Sequence, residues 1–343
     1  MKKAQPPTAA TEDRDAAMWK PVRAAIRRSR SVLITSHVFP DGDAVGSQLA
    51  LAKTLRAMGK RVLLVSEHPV PKIYESLDRR RSIKLYDHHL EPKVRKCDTA
   101  FVVDVGSLDR VGRVAHVIRK AKMTTVCIDH HRTNARFADV NLLDPACAST
   151  GELIYALAKA LRTPVTPQTA ACLFVALATD TGWFRFTNTK PDTLRTAAEL
   201  VELGARPAAL YSAVHESLGW PRMALMKCVL ETLRSQCDGR IAYFYATDQM
   251  MRQTGAQHED TEGFTNIPRV LGGVKLIFFF READGKIKVS IRSKGGPPVD
   301  KLAKKHGGGG HAQAAGITMA GPLRSVMKTV LADARRLIAG TAK

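Results

Sequence analysis

The chain has 343 residues, too long for one typical domain and sufficient for two, and its 45% hydrophobic and 25% charged residues describe an ordinary soluble globular protein. No stretch approaches the ~20 consecutive apolar residues of a membrane-spanning helix, which excludes a helical membrane span. The formal net charge of +21 indicates anionic partners such as nucleic acid or nucleotides, although a solvated basic surface explains the charge equally well.

The N-terminus and the cysteines both fit a cytoplasmic protein. Residues 1–18 begin MKKAQPPTAATEDRD, are polar and lack the apolar core of a signal peptide, so we expect a disordered basic tail. The six cysteines show no CxxC spacing and several lie in apolar runs. We therefore expect buried thiols, with neither disulfides nor zinc ligands.

Residues 19–205 alternate short β-branched runs with helix-like segments. The strand candidates are 31–35, 61–66, 100–105 and 124–129. The helix candidates are 46–60, 110–122, 149–161, 167–180 and 191–205. This alternation predicts an α/β domain, a parallel sheet with helices on both faces.

The pattern changes after residue 205. We expect a helical linker over 206–222 and a smaller α+β domain over 223–343. Its strand candidates are 240–247, 274–282 and 286–293, the last two joined by an Ala-Asp-Gly turn that predicts a hairpin. Residues 311–319 fit either a helix start or a strand, and the closing segment is an amphipathic helix.

Aspartate and histidine side chains follow four segments of the first domain. They are His37, Asp41 and Asp43 after 31–35, Asp104 after 100–103, Asp129, His130 and His131 after 124–128, and Asp180 after 172–178. Ligands of parallel sheets bind beyond the carboxyl ends of the strands, and carboxylates crowded there repel one another unless a cation lies between them. Mixed carboxylate and imidazole ligation suits Mn²⁺, with Mg²⁺ or Co²⁺ as alternatives, and two ions can be held.

Each of these residues also has a simpler explanation. An aspartate after a strand, such as Asp104, is often a helix cap or a turn residue, and a lone His37 is usually a surface histidine. Asp180 precedes Thr-Gly and fits a simple loop. The occurrence of all of them at one predicted edge favours the metal site.

The motifs that carry these residues resemble those of the DHH phosphoesterase family, which is named for its Asp-His-His triplet. The matching stretches are HVFPDGDAVGS (37–47), VVDVG (102–106), IDHH (128–131), ATDTG (178–182), EGFTNIPR (262–269), VSIRSK (289–294) and GGGGHAQAAG (307–316). The last resembles the signature of the DHH-associated C-terminal domain. The resemblance spans roughly residues 20–340 and is closest to the nanoRNase/pAp-phosphatase type.

The resemblance implies two divalent ions, expected to be Mn²⁺, that share one aspartate. The implied ligands are His37, Asp41 and Asp104 for one ion, and Asp43, Asp104, His130 and Asp180 for the other. It also implies that Asp129 orients the histidine pair and that His131 faces the substrate as a proton donor. A second triplet at residues 87–89 precedes Asp104, against the family order, and we interpret it as a surface loop.

The glycine-rich run of the second domain is a candidate substrate site. Its backbone N–H groups can approach a phosphate closely because no Cβ blocks access, although four glycines alone also fit a flexible linker. The candidate substrate-binding residues are Arg292, Lys294, Gly308, Gly309, Gly310 and His311. The two domains would then face each other across a cleft suited to a short substrate.

Three aromatic side chains are candidates for stacking on nucleobases. They are Phe264, Trp183 and Phe184, and each of them more readily serves as a packing residue.

The resemblance implies a Mn²⁺-dependent phosphodiesterase and phosphomonoesterase. Its expected substrates are very short single-stranded RNA and 3′-phosphoadenosine 5′-phosphate (pAp), hydrolysed by direct attack of an activated water, and a homodimer is expected. One alternative is hydrolysis of cyclic or linear signalling dinucleotides. Another is a non-catalytic nucleotide- or RNA-binding protein, which would have no need of so many acidic side chains.

Overall fold

The structure, a computed structural model, describes residues 9–217 and 219–340, with side chains from Met18 onward except that of His311. The chain divides into two units, the first up to Ser217 and the second after it. This boundary falls within residues 206–222, the segment predicted as a linker. None of the helices in the described residues combines the length and the apolar character that a membrane span requires.

The first unit contains a six-stranded sheet. Its strands are β1 (Ser31–Thr35), β2 (Arg61–Ser66), β3 (Ile83–Leu85), β4 (Thr99–Val103), β5 (Thr124–Asp129) and β6 (Val140–Leu143). They lie in the order β3-β2-β1-β4-β5-β6, and all neighbours are parallel. The predicted parallel sheet is confirmed, and β3 and β6 add to the four predicted strands. Both are short and contain a polar residue, Lys84 or Asn141, which hides the pattern of a buried strand.

Helices cover both faces of this sheet, as predicted. They are α1 (Ala9–Arg28), α2 (Gly42–Ala57), α3 (Glu91–Val94), α4 (Arg113–Ala121), α5 (Thr150–Ala160), α6 (Pro167–Asp180), α7 (Pro191–Glu202) and α8 (Pro207–His215). Val32 and Ile34 of β1 join the core that includes α2, α5 and α6. Leu33 points to the opposite face and joins the core that includes Val117 and Ile118 of α4, because successive strand residues alternate between faces.

Helix α1 begins at Ala9, so the structure differs from the predicted disordered tail over residues 9–18. Alanine, glutamate and arginine in this stretch favour a helix, and the following turns anchor it. Trp19, Val22 and Ile26 are buried in the core beside the sheet. Residues 1–8 of the predicted tail lie outside the described part of the chain.

The second unit contains a mixed six-stranded sheet. Its strands are β7 (Arg234–Gln236), β8 (Ile241–Ala246), β9 (Leu276–Ala283), β10 (Lys286–Ser293), β11 (Gly309–His311) and β12 (Ala314–Ala320), in the order β11-β12-β10-β9-β8-β7. Only the β8–β9 pair is parallel among these described strands. Asp284 and Gly285 form the predicted hairpin turn with φ of +55° and +69°. Most of residues 311–319, which fitted either assignment, form β12.

Helices α9 (Trp220–Glu231), α10 (Asp248–Thr254), α11 (Asp300–Lys305) and α12 (Leu323–Ala339) cover this second sheet. Phe278 and Phe280 of β9 share a core with α11 and α12. Ile277 and Phe279, on the alternate face, share a core with α9 and α10. The expected α+β class is confirmed.

The prediction of buried thiols holds for three of the six cysteines. All six lie in the described part of the chain and are free thiols. Three of them, Cys97, Cys127 and Cys172, are buried, and the others are partly buried. Burial is the main cause that raises the pKa of Cys127 to about 12, so this thiol stays protonated at neutral pH.

Candidate metal centre

Strands β1 and β4 are neighbours at the middle of the first sheet. From β1 the chain continues to β2 and β3 on one side, and from β4 it continues to β5 and β6 on the other, so the strand order reverses between them. In such sheets a crevice opens beyond the carboxyl ends of the two strands at this position. His37 lies two residues beyond β1, and Asp104 directly follows β4. The topology alone therefore places both side chains at the position where ligands bind.

All six predicted metal ligands lie together at this edge. Three groups of side chains offer ligand atoms within 4.8 Å of one another. The groups are His37, Asp41 and Asp104; Asp43, His130 and Asp180; and Asp104, His130 and His131. The first two match the two ligand sets that the family resemblance implies, except that Asp104 is not in the second group. Asp104 and His130 share the third group instead.

Asp104 faces both sides of this cluster. Its Oδ2 atom lies 3.5 Å from His37 Nε2, and its Oδ1 atom lies 3.8 Å from His130 Nε2. The Thr150 hydroxyl donates a hydrogen bond of 3.1 Å to Oδ1 and holds the carboxylate in this orientation. Asp104 also adopts a left-handed backbone with φ of +59°, a strained conformation that concentrates at functional sites.

The His37 ring is oriented for ligation through Nε2. Its Nδ1 atom lies 2.8 Å from the Val38 carbonyl, which can only accept a hydrogen bond, so Nδ1 carries a proton. Burial lowers the pKa of His37, but hydrogen bonds and charges from Asp104 and Asp41 outweigh burial and raise the pKa to about 10. Without a metal ion the ring is therefore cationic at neutral pH. A divalent cation can replace the Nε2 proton.

Asp43 is buried and rests on the N-terminus of α5. Its carboxylate accepts hydrogen bonds from the Thr150 and Gly151 amides, at 2.7 and 2.9 Å, and from the Ser47 hydroxyl at 3.0 Å. Burial, followed by the charge of Asp104, nevertheless raises the pKa of Asp43 well above its usual value. The local donors do not offset the repulsion from neighbouring carboxylates, which a bound cation would relieve.

Asp41 and Asp180 reach the cluster from helix ends. Asp41 is the N-cap of α2 and accepts a hydrogen bond from the Ala44 amide at 3.0 Å. Asp180 is the last residue of α6, and its carboxylate lies 3.3 Å from His130 Nε2. Burial, with the charge of Asp104 adding to it, raises the pKa of Asp180 to about 6.

Glycines let the supporting helices approach closely enough to bring these carboxylates together. A Cβ atom on Gly46 of α2 would lie 2.4 Å from the carbonyl oxygen of Cys172 on α6. A Cβ on Gly151 of α5 would lie 2.5 Å from Ala176 Cβ. Both distances are shorter than side chains tolerate, so the close packing of α2, α5 and α6 requires glycine at these positions.

His131 is held by a chain of polar contacts. Its Nδ1 atom donates to Asp129 Oδ1 at 2.6 Å, and Asn134 Nδ2 donates to Asp129 Oδ2 at 2.7 Å. Asn134 is in turn fixed by the Val105 carbonyl at 2.9 Å. The hydrogen bond with Asp129 is the main cause that raises the pKa of His131. This arrangement fits the predicted orienting role of Asp129 for His131.

The donor set fits a pair of hard or borderline divalent cations. Four carboxylates and three imidazoles make up the three groups, none of which includes a thiolate, and one fully buried aspartate, Asp43, has a raised pKa. Carboxylate and imidazole ligands suit Mn²⁺, Mg²⁺ and Co²⁺ rather than metals that prefer sulfur.

The second triplet has the surface position that we predicted. Asp87, His88 and His89 are exposed in a turn, and the two imidazole rings lie 3.9 Å apart. None of the three belongs to a group of potential metal ligands among the described residues.

The glycine-rich loop of the second unit is shaped mainly by strand packing. A Cβ on Gly308 would lie 2.1 Å from the Gly316 carbonyl oxygen, and Gly310, with φ of +139°, would place its Cβ 2.4 Å from the Ala314 oxygen. Gly309 has no heavy atom within 4 Å of its ideal Cβ, so its surface is open. The side chain of His311 lies outside the described part of the chain.

The two predicted cationic residues of this unit differ in their surroundings. Lys294 donates to the main-chain carbonyls of Arg269 and Leu271 at 2.6 and 3.0 Å, so its ammonium has a structural role. Arg292 is partly buried, and burial, followed by the charge of Arg269, lowers its pKa. Two neighbouring guanidinium groups favour an anion between them. Arg269 ends the EGFTNIPR stretch but was not predicted as a site residue.

An aromatic pair beside the metal ligands was also not predicted. Phe39 lies between His37 and Asp41, is 73% exposed and has φ of +55°. Its ring stacks on His68 with 3.9 Å between centroids, and its amide donates to His68 Nδ1.

The stacking candidates that the sequence offered do not present a free ring face in the same way. Phe264 is fully buried. Trp183 and Phe184 are partly buried and pack against the core of the first unit, which agrees with the expectation that they serve as packing residues.

Known proteins resemble this chain in both sequence and structure. Residues 31–177 match the family profile "DHH family, N-terminal domain", and residues 238–340 match the "DHHA1 domain" profile. A Thermus thermophilus protein named "Bifunctional oligoribonuclease and PAP phosphatase NrnA" is 34% identical over 290 residues, covering 84% of each chain. A Bacillus subtilis protein of the same name is 27% identical over 298 residues, covering 84% of this chain and 89% of that protein.

Among solved structures, an exopolyphosphatase-related protein from Bacteroides fragilis matches with a TM-score of 0.88. It is 26% identical, and the match covers 94% of this chain and 98% of that chain. The similarity therefore extends over both units.

Proposed function

The chain belongs to the DHH phosphoesterase family and carries a DHHA1 domain, and on this premise we propose that it is a metal-dependent hydrolase of very short RNA and of pAp. Both activities cleave a phosphate ester. Relatives that this chain matches over most of its length are named for these two activities.

The convergence of the ligand cluster is the observation that carries this proposal. Segments from residue 37 to residue 180 deliver carboxylates and imidazoles to one sheet edge, with Asp104 facing both sides. A protein that only binds nucleotides gains nothing from crowding carboxylates, since they repel an anionic ligand. Bound divalent cations would activate water and stabilise the leaving oxygen of a phosphate ester. We propose Mn²⁺ because of the mixed imidazole and carboxylate donors.

His131 is the residue we assign to proton transfer. It is 42% exposed on its side chain, whereas His130 is 14% exposed, so its ring can face a substrate. Asp129 accepts a hydrogen bond from Nδ1–H and raises the pKa of His131, which favours the doubly protonated ring, whose Nε2–H can protonate a leaving oxygen. Asp129 thus acts as a positioning residue.

Substrate recognition is assigned to Phe39 and to the second unit. Exposed aromatic faces bind nucleobases by stacking, which favours substrates with an unpaired base next to the scissile phosphate. In the second unit, Arg292 and Arg269, with the open backbone at Gly309, would hold a further phosphate. The cytoplasmic location and the homodimer expected from the sequence stay predictions.

A substrate panel tests the proposal. Full-length protein, stripped with a chelator and reloaded with Mn²⁺, Mg²⁺ or Co²⁺, is assayed on RNA dinucleotides to pentanucleotides, a long RNA, pAp, and linear and cyclic signalling dinucleotides. We expect turnover of short RNA and pAp only with added metal, and best with Mn²⁺. Preferred hydrolysis of cyclic dinucleotides would replace this function with the signalling alternative. Tight nucleotide binding without turnover in any metal would show a non-catalytic binding protein.

A further inference from the structure

A cavity of about 500 Å³ lies within the first unit, between the C-terminal half of α2 and the turn that precedes β3. Its volume is in the range of small-molecule binding sites. Leu49 and Leu77 contribute apolar surface, and the other lining side chains are polar or charged.

Four cationic side chains line this cavity from two sides. Lys53 and Arg56 lie one turn apart on α2, and Arg79 and Arg80 come from the turn facing them. None of the four forms an ion pair with another described residue. Arg56 donates a hydrogen bond to the Val62 carbonyl at 3.2 Å. Four unpaired cations around one concave surface repel one another and favour an anion between them.

The cavity's one acidic side chain does not neutralise these cations by direct contact. Asp78 is buried, and its carboxylate accepts hydrogen bonds from the Ser82 amide and hydroxyl, at 2.8 and 2.5 Å, and from the Ile83 amide at 2.9 Å. Asp78 therefore organises the turn that presents Arg79 and Arg80.

A buried hydroxyl supplies an independent indication of a ligand. Ser76 is one of the residues that line the same cavity, and its hydroxyl oxygen is buried without a hydrogen-bond partner among the described residues. A buried polar atom without a partner costs free energy, which a hydrogen bond to a ligand oxygen would recover. Gln168, in the first turn of α6, adds an amide group to the same lining.

This cavity is separate from the candidate metal centre. Asp43 lies in the first turn of α2, ten residues before Lys53, which corresponds to about 15 Å along a helix. Similarly, Gln168 is in the first turn of α6, whereas Asp180 is its last residue. The two helices thus carry the metal ligands at one end and the cavity lining at the other.

We propose that this cavity is a second binding site, for a small molecule that carries at least two phosphate groups. Guanidinium groups bind phosphate oxygens in pairs, and a diphosphate matches the excess of positive charge. The described lining contains no aromatic side chain on which successive bases could stack, which favours a small molecule over an RNA strand. The shared chemistry is a diphosphate, whether inorganic or part of a nucleotide. The proposal is independent of the hydrolase function.

Calorimetric titration of the full-length protein in excess chelator tests the proposal, because phosphate binding through metal ions is then absent. The ligands are pyrophosphate, ADP, inorganic phosphate and adenosine. We expect pyrophosphate and ADP to bind, phosphate to bind more weakly and adenosine not to bind. Tighter binding of ADP would identify a nucleotide site, and equal binding would identify the diphosphate group as the whole determinant; both support the proposal.

A pair of matched variants locates the binding. Arg79→Ala combined with Arg80→Ala should weaken pyrophosphate binding at least ~10-fold, since charge-assisted hydrogen bonds are lost. The control, Arg81→Ala with Lys84→Ala, removes the same charge from exposed residues outside the lining. Equal loss in both variants, no loss in the first, or binding of RNA hexanucleotides but of neither diphosphate would overturn the proposal. Thermal melts verify that both variants fold.

Discussion

At the scale of single residues, Asp104 carries the most weight in the metal centre. Its two carboxylate oxygens face His37 and His130, from opposite sides of the cluster, and Thr150 fixes their orientation. Asp104 has a strained left-handed backbone at the end of β4, and its carboxylate lies near histidines that follow β1 and β5. A carboxylate that only capped a turn would require neither contact.

We predict that Asp104→Asn lowers kcat on short RNA and pAp by at least about 10³-fold, because an amide is a weaker ligand than a carboxylate and the shared contact is lost. The matched control is Asp87→Asn in the surface triplet, which should retain full activity.

A second pair of variants compares histidines. His130→Ala should lose metal-dependent turnover, and His88→Ala in the surface triplet should retain it. Steady-state kinetics at saturating Mn²⁺ measure all four variants, and loss of metal-dependent turnover in His88→Ala but not in His130→Ala would show the ligand assignment to be wrong.

Phe39 sets a second prediction at this scale. Phe39→Leu should raise KM for short RNA by about 5-fold or more with little change in kcat, because base stacking contributes on the order of 1–3 kcal/mol per base. Phe39→Trp keeps an aromatic face and should retain a KM near that of the parent. If the leucine and tryptophan variants have the same KM, Phe39 does not contact the base.

At the scale of elements, the metal centre depends on the close packing of α2, α5 and α6. A methyl group at Gly46 would collide with the main chain of Cys172, which cannot move away as a side-chain end could. The helix ends that carry Asp43 and Asp180 would therefore separate. Stability and metal affinity are linked through the same contact.

We predict that Gly46→Ala lowers the free energy of unfolding by about 1–3 kcal/mol, the range for overpacked cores, and weakens Mn²⁺ binding as well. Gly272→Ala is the control, since its added Cβ meets no atom within 4 Å and its φ is not in the left-handed region. Urea unfolding with and without Mn²⁺ measures both effects. An unchanged midpoint for Gly46→Ala would contradict the packing argument.

Asp98 ties the beginnings of β1 and β4 together and gives a prediction on pH. Its Oδ2 atom accepts hydrogen bonds from the Arg30 and Ser31 amides, both at 2.9 Å. Burial raises the pKa of Asp98, but these hydrogen bonds outweigh burial and lower it. A lowered pKa in the folded state stabilises the protein above the unfolded pKa of about 3.9, and this contribution is lost as pH falls through the folded value.

Asp98→Asn should therefore lower the free energy of unfolding by about 1 kcal/mol at neutral pH, because the amide oxygen is a weaker acceptor. The difference from the parent chain should shrink as the pH falls below about 4. The midpoints of urea unfolding, measured for both proteins from pH 7 downward, give this difference at each pH. A difference that is constant with pH would mean that the charge of Asp98 is not the cause.

At the scale of the whole molecule, much of the site follows from how parallel sheets are built. The strand ends of a parallel sheet share one edge, so aspartates and histidines after separate strands were expected to meet, and they do. Short strands with polar centres, such as β3 and β6, carry no such pattern. Residues that act through local geometry are equally hidden: Thr150 and Asn134 resemble ordinary helix and loop residues until the fold brings them beside Asp104 and Asp129.

Neither the exposure of Phe39 nor the basic cavity could be predicted from the sequence, and the reason differs between the two. Phe39 is an apolar residue inside a motif, and neither its left-handed backbone nor its exposed ring can be read from the sequence. The cavity unites Lys53 and Arg56 with Arg79 and Arg80, which lie on separate elements. The net charge fitted either anionic partners or a solvated basic surface, and it carries no information on where an anion would bind.

We propose that two divalent ions bind between the ends of β1, β4, β5 and α6. Anomalous diffraction from crystals grown with Mn²⁺ tests it most directly. We predict two peaks about 3.5–4 Å apart, one against His37, Asp41 and Asp104 and the other against Asp43, His130 and Asp180. A map without peaks there, or with its strongest peak at Asp87, His88 and His89, would contradict the account.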